Sequence, residues 1–298
     1  MKLSGLHILL TYQCNLECDH CFTWGSPRQT GTLTLAQISY FLQQAKEAGV
    51  EWIYLEGGEP FLYYPILVKG VEAALHQGFH VGVVTNGYWA STVEGALEWL
   101  KPLTGLADLS VSSDLYHYDE VMSLQAKNAL EVARQLRIPV GIISVAQPEA
   151  ANPTPSRGQI AADTPAAVMC RGRAAIQLAS RLKAAAWEQF TTCSHEDLRE
   201  PGRIHLDPLG NLHLCQGIVI GNVFTTPLKE ICAGYNAEAH PICGPLLSGG
   251  PVALVSGFNL SHKGKYADAC HLCYQARLAL RSRFPEILKP DQMYGVGL

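Results

Sequence analysis

The chain contains no apolar run long enough to cross a bilayer as a helix. It has no excess of positive charge either. Lys and Arg number 22 against 26 Asp and Glu, for a net charge of -4, which excludes a broad basic field for nucleic acid or an anionic membrane. The opening "MKLSGLHILLTYQC" has a short apolar stretch but no small-residue cleavage site, so it does not read as a secretory signal, and a cytoplasmic setting is expected. Charged residues make up only 16% and hydrophobic ones 48%, an ordinary globular balance over 298 residues. That length suffices for one large domain, or one domain and a smaller one. Cysteine is the departure, at ten residues. In a cytoplasmic chain these read as metal or redox chemistry rather than disulfides.

The first half alternates β-rich apolar runs with helical patterns. Strands are expected at Leu6–Thr11, "EWIYLE", "FHVGVVT", "LADLSVS", "IPVGIISVA" and, more briefly, "PAAVMC". Between them lie four helical patterns. One has a Thr34/Gln37 capping box and a Gly49 stop, and one starts at Pro65 and ends at Gly78. The others run from about Ser91 to Leu100 and from about Tyr118 to Leu136. "QPEAANPTPSRGQIAADT" stands where a fifth helix would fall and reads as a mobile loop. Six strands separated by helices imply parallel βαβ units and an α/β fold, an incomplete (β/α)6 version of the eightfold TIM barrel over residues 1–183. Function in such barrels sits at the C-terminal strand ends. Here those ends are polar, Gly-rich or Cys-rich.

The first such end, "TYQCNLECDHCF", holds Cys14, Cys18 and Cys21 and lacks a nearby fourth cysteine. A closed structural site wants four ligands, whereas three leave a coordination position free. Half of a zinc site with a distant fourth ligand is the bland alternative. A thiol triplet after the first strand, with "GGEP" after the second, argues against it.

This C-x3-C-x2-C spacing resembles the motif of radical S-adenosylmethionine enzymes, and the resemblance extends over most of the chain. It implies a [4Fe-4S] cluster on Cys14, Cys18 and Cys21, with S-adenosylmethionine on the fourth iron. One electron would then cleave the S–C5′ bond to give a 5′-deoxyadenosyl radical that abstracts hydrogen from substrate. It further implies cofactor contacts at Gly57, Gly58, Glu59 and Pro60, where the methionine amino group is received, and at Thr85 and Asn86. Ser112 and Asp114 are assigned to the ribose or methionine end. Arg171 or Arg173 of "RGRA" is assigned to the methionine carboxylate, His20 stands where an aromatic's backbone meets adenine, and Phe22 matches the aromatic that follows the last cysteine. Taken singly, Ser112, Asp114, Arg171 and Arg173 read equally well as capping or surface residues.

From about residue 184 the pattern changes. "RIHLDPLGNLHLC" reads as a hairpin, "TPLKEICAGY" as a short helix, and "CHLCYQARLALRSRFP" as a helix started by a cysteine pair. Cys193, Cys215, Cys270 and Cys273 resemble the auxiliary-cluster extensions called SPASM and, shorter, twitch. No closely spaced cysteines follow Cys273, so the resemblance implies one auxiliary [4Fe-4S] cluster in a twitch-like α+β domain over 184–298. Structural zinc on the same four thiolates satisfies the spacing too. His271 reads as a bystander. Of the remaining thiols, Cys170 at the end of the sixth expected strand is a small buried hydrophobe, a hydrogen-atom donor at the reaction mouth or a ligand of the auxiliary cluster in place of Cys193. Cys232 and Cys243 read as packed.

The expected function is therefore radical chemistry on a C–H bond. A short peptide is preferred as substrate, a sugar, nucleotide or other small molecule is the alternative, and a flavodoxin- or ferredoxin-type protein serves as electron donor. The first strand starts almost at once, which weakens a leader-peptide-dependent maturase. An iron–sulfur electron carrier or sensor is the competing class, and a zinc-binding interaction module the third. "GGEP" argues against the carrier, which needs no methionine-binding edge. The C-terminal "KPDQMYGVGL" is expected to close over the site or remain disordered.

Overall fold

The computed structural model describes residues 1–150 and 165–297. Strand β1 (Leu3–Thr11) lies inside the sheet and is almost wholly buried. Its neighbour β2 (Trp52–Gly57) runs parallel to it, with Ile8 paired to Leu55. Helix α1 (Leu35–Glu47) joins them. It starts at the Thr34/Gln37 capping box, where the Thr34 hydroxyl accepts from the Gln37 amide and the Gln37 side chain accepts from Thr34. Ile38, Phe41, Leu42 and Ala45 form its buried stripe, the i, i+3, i+4, i+7 pattern of a helix lying on a sheet.

The unit then repeats. Helix α2 (Tyr64–His76) follows a 3-10 turn at Pro60–Tyr63, so Pro65 sits in its first turn as expected. Next come β3 (His80–Thr85), α3 (Val93–Leu100), β4 (Asp108–Ser112), α4 (Leu124–Gln135) and β5 (Val140–Ile143). All five strands are parallel in the order β5-β4-β3-β2-β1. The core is an unbroken apolar layer between strands and helices, including Leu6, Ile8, Ile53, Leu55, Val81, Val83, Leu109 and Val111. Each such side chain contributes about 1.5–3 kcal/mol by leaving water. This is the partial TIM barrel that the alternating pattern implies.

Two details differ from expectation, and a third is left untested. Helix α4 begins at Leu124 and not near Tyr118, because the Ser123 hydroxyl caps the Ala126 amide and fixes the start. "PAAVMC" does not form a sixth strand; its contact with the sheet is an isolated bridge from Ala166 to Val145. Most of the expected mobile loop falls outside the described residues. Within Gln147–Ala150 a turn is closed by the Ala150 amide on the Gln147 carbonyl.

The remaining elements are α5 (Ala174–Gln177), β6 (Ala185–Ala186), β7 (Gly202–Leu206), β8 (Asn211–Cys215) and β9 (Ile218–Asn222). After them come α6 (Leu228–Gly234), α7 (Cys243–Gly257, kinked at Gly249 and Gly250), β10 (Lys265–Tyr266) and α8 (Ala269–Leu280). The expected hairpin is β7–β8, and its first strand pairs in parallel with β1, so the sheet continues as β1-β7-β8-β9. The sixth parallel strand thus stands on the far side of β1, supplied by the second half of the chain.

The hairpin turn is also a joint. Asp207 is fully buried. Its Oδ1 accepts from the Leu209 and Asn211 amides at 2.9 and 2.8 Å. Its Oδ2 accepts from the Tyr12 hydroxyl at 2.9 Å and from Asn211 Nδ2 at 3.0 Å, and lies 2.9 Å from His213 Nε2. Burial alone would raise this carboxyl; the His213 and Asn211 contacts outweigh it and hold it below the ordinary aspartate value. Tyr12 stands two residues before Cys14, so the joint fixes the root of the first cysteine loop.

Tyr12→Phe is expected to cost about 1 kcal/mol, and Asp207→Ala about 3 kcal/mol, in urea unfolding at neutral pH. The Asp207 contribution is present above its unfolded pKa of about 3.9 and lost as pH falls through the lower folded value. Wild type and Asp207→Ala should therefore converge in acid. Equal stability at neutral pH would rule out the joint.

Candidate active site

The first cysteine loop has few apolar side chains to anchor it. It is held by its backbone. Cys14 N–H donates to the Ser26 carbonyl and Cys21 N–H to the Cys18 carbonyl, both at 3.1 Å. Against it lies the end of β2. Gly58 N–H donates to the Thr11 carbonyl at 2.7 Å, and Glu59 N–H to the Gln13 carbonyl at 2.9 Å. A Cβ on Gly58 would lie 2.1 Å from the Gln13 oxygen, and one on Gly57 (φ +144°) 2.3 Å from the Thr11 oxygen. Only glycine permits this approach.

From the other side, the segment before α5 closes the loop. Arg173 is buried, and its guanidinium donates to the Cys18 carbonyl at 2.7 Å and the Gly25 carbonyl at 2.8 Å. Its backbone N–H donates to the Cys21 carbonyl at 3.0 Å. Gly172 (φ +58°) has no room for a Cβ, which would sit 2.6 Å from the Cys21 oxygen.

The loop opens onto a cavity of about 280 Å³ lined by Cys14, Cys18, Cys21, His20, Phe22, Gly57, Gly58, Thr85, Asn86, Ser112 and Arg171 among others. Residues singled out from five separate stretches of sequence thus meet in one place. Asn86 Nδ2 donates to Asn15 Oδ1 at 2.8 Å and approaches Cys14 Sγ at 3.7 Å. Amides from Leu16 and Gly25 point at the sulfurs of Cys14 and Cys21, at 3.4 and 3.2 Å. Burial pushes the Cys14 thiol up to about 12 and raises Cys18 as well. Thiolates here need a cationic partner, which a metal centre supplies. Burial lowers His20 to about 4, so its ring is neutral; it packs on Tyr116 at 4.6 Å.

Other expected contacts lie outside the lining. Glu59 is fully buried and turns inward, accepting from Phe61 N–H, Thr85 Oγ1 and Asn86 N–H at 3.0, 2.8 and 2.7 Å. Burial pushes it up to about 7 despite those donors. Pro60 starts the turn beneath it. Asp114 is buried behind His117, whose Nδ1 lies 2.8 Å from its Oδ1. Arg173 faces the loop carbonyls rather than the cavity. Cys170 is fully buried, with its N–H on Asp268 Oδ2 at 2.9 Å, while its neighbours Met169 and Arg171 line the wall.

A second cavity is lined by Cys193, Cys215, Cys270 and Cys273, which come from the segment after β6, the end of β8 and the first turn of α8. Two arginines face it. Arg171 Nη1 is 3.8 Å from Cys215 Sγ and 3.0 Å from Glu196. Arg277, also buried, lines the same wall. Arg171 lines both cavities and stacks over Phe22 at 5.3 Å. His271 Nδ1 accepts from the Ala267 amide and does not line the cavity. Cys232 and Cys243 are buried in α6 and α7.

Among the described residues, no three of the cysteines in either cavity have sulfurs mutually within 4.8 Å. A tetrahedral zinc site with bonds of about 2.3 Å would bring sulfurs to about 3.8 Å. A four-iron cluster holds its thiolates farther apart, since each binds a different iron.

Several lining residues went unread in the sequence. Glu56, just before the two glycines, falls at an inward position of β2. His117 lies three residues after Asp114, and Arg277 one helical turn after Cys273. Strand alternation and i, i+4 spacing were the signals available.

Among curated proteins, the chain is similar to "Putative peptide biosynthesis protein YydG" of Bacillus subtilis, 30% identical over 45% of this chain and 43% of that one. It is also similar to "GTP 3',8-cyclase" of Haemophilus influenzae, 32% identical over 37% and 32%. The matched stretches span less than half of the length of these relatives. Among solved structures, "Native anSMEcpe with bound AdoMet and Cp18Cys peptide" shares the fold at a TM-score of 0.52, with 13% identity, over 96% of this chain and 98% of that one. Residues 8–149 match the family described as "Radical SAM superfamily", and that segment, from the middle of β1 to the turn after β5, is a radical SAM domain.

Proposed function

We propose that this protein is a radical S-adenosylmethionine enzyme that abstracts hydrogen from a substrate held in the main cavity. What carries the reading is the meeting of three thiols with an open glycine edge in one cavity. Cys14, Cys18 and Cys21 would hold three irons of a [4Fe-4S] cluster, and Gly57, Gly58, Asn86 and Ser112 offer backbone and side-chain groups to S-adenosylmethionine. When bound, that pair supplies one electron and a 5′-deoxyadenosyl radical. The chain's own part is to fix the thiols, present the glycine edge and shield the cavity. Glu59 acts from beneath, holding the Asn86 amide and the Thr85 hydroxyl.

Cys193, Cys215, Cys270 and Cys273 would hold one auxiliary [4Fe-4S] cluster within a twitch-like region at 184–298. Arg171 and Arg277 offset the charge of four thiolates. The buried position of Cys170 supports packing over hydrogen donation. A peptide substrate is preferred, because two similar proteins are named "Putative peptide biosynthesis protein" and "PqqA peptide cyclase". A nucleotide is the second reading, favoured by the similar "GTP 3',8-cyclase" proteins. No helix among the described residues is long and apolar enough to cross a membrane. A flavodoxin- or ferredoxin-type donor is the electron source we expect.

Reconstituted, dithionite-reduced protein is expected to convert S-adenosylmethionine to 5′-deoxyadenosine and methionine, followed by chromatography. Cys14→Ala, Cys18→Ala or Cys21→Ala should each abolish it. Persistence of cleavage in any of the three removes the assignment.

Iron analysis should find about eight irons per chain, and about four after joint replacement of Cys193, Cys215, Cys270 and Cys273 by Ala. Stoichiometric zinc at the second site would replace the auxiliary cluster by a structural ion. Cys170→Ala should leave 5′-deoxyadenosine formation unchanged. Stalled product formation on an identified substrate would restore the donor role.

A further inference from the structure

On one face of the sheet, three adjacent parallel strands each send one side chain to a common point. His7 comes from β1, Glu56 from β2 and His205 from β7, with His7 directly opposite His205 in the β1–β7 register. Glu56 Oε1 lies 3.2 Å from His7 Nδ1 and 3.1 Å from His205 Nε2. All three donor atoms fall within 4.8 Å of one another. Each side chain is between 12% and 16% exposed, so the group is walled in but not sealed.

The surroundings orient the donors. Tyr54 stacks on the His7 ring at 4.5 Å, nearly parallel at 11°. Phe22, directly after the last cysteine of the loop, meets the His205 ring edge-on at 5.4 Å. Glu56 and Phe22 both line the main cavity. Among the described residues, the ion-pair partners of Glu56 are these two imidazoles, with no Lys or Arg at ion-pair distance. A carboxylate in such a wall is stabilised by a cation.

Two imidazole nitrogens and one carboxylate oxygen suit zinc, iron(II), manganese or cobalt rather than magnesium or calcium. Three protein ligands leave coordination positions open. We propose that His7, Glu56 and His205 form an open divalent-metal site on the barrel floor, separate from both cysteine sets. Glu56 gives the site its contact with the main cavity, and from that side the ion would take an oxygen donor of the substrate, a carbonyl, carboxylate or hydroxyl group. The alternative is a closed hydrogen-bonded triad that binds no ion. The inference goes beyond the radical reading and is tested without turnover.

The probe is cobalt(II) alone. Reconstituted, oxidised protein is dialysed against cobalt(II), and bound metal is measured by elemental analysis and by electron paramagnetic resonance, in which oxidised four-iron clusters are silent. One cobalt per chain is expected, with a high-spin signal carrying the nitrogen modulation of two imidazoles. Glu56→Gln and His205→Asn should each weaken binding by roughly 10- to 100-fold, with iron content unchanged as the check that the fold and clusters persist. If either variant loses its iron, the nitrogen modulation of the unaltered protein decides alone. No saturable cobalt, sulfur-only coordination, or equal binding in iron-replete variants would overturn the proposal.

Discussion

The site depends on one constraint: a loop of cysteines with little apolar surface must be held still. The chain does this with backbone groups. The glycine edge of β2 hydrogen-bonds the loop from one side, at Thr11 and Gln13. Arg173 gathers the Cys18 and Gly25 carbonyls from the other. Each buried carbonyl left unpaired would cost about 1–3 kcal/mol, so the guanidinium offsets a penalty the loop cannot meet alone. The same geometry explains why Gly57, Gly58 and Gly172 tolerate no side chain. Space that a Cβ would occupy is already filled by loop backbone.

Around that loop the polar residues divide into those that face the cavity and those that hold the facing ones. Asn86 faces it, and Glu59 holds Asn86. His117 faces it, and Asp114 holds His117. Buried carboxylates used this way are costly unless every oxygen is paired. Asp114 meets the condition with Tyr116 N–H, His117 and Val145 N–H. Arg171 has a different place, between the two cavities, with Phe22 on one side and Cys215 on the other.

Much of this was legible in the residues. The strand–helix alternation, the Thr34/Gln37 box and the Pro65 start follow local rules that tertiary contacts did not override. The cysteine spacing and the two glycines marked the cavity, because those residue types have few other uses at a strand end. Other features resisted for stated reasons. "PAAVMC" has the apolar look of a strand, but pairing depends on which edge is free, and that is a property of the whole sheet. The parallel strand beside β1 came instead from Gly202–Leu206, some two hundred residues away. Arg173 read as a cofactor contact through the resemblance of "RGRA", and a guanidinium offers the same donors to a carboxylate or to carbonyls. Only three-dimensional placement separates them. His7, Glu56 and His205 were invisible as a group, since a single polar residue in each of three apolar strands carries no joint signal along the chain.

The pairing of β1 with β7 has a consequence for synthesis. Leu3 meets Gly202 and Ile8 meets Leu206, so one side of β1 waits for a partner made about two hundred residues later. Until then β1 presents an open row of amides and carbonyls, the kind of edge on which other chains assemble. The barrel half cannot be sealed as it emerges, and a nascent chain stopped before β7 would carry its cysteine loop beside an adhesive border. A chaperone guarding that border during synthesis would find its work concentrated on β1.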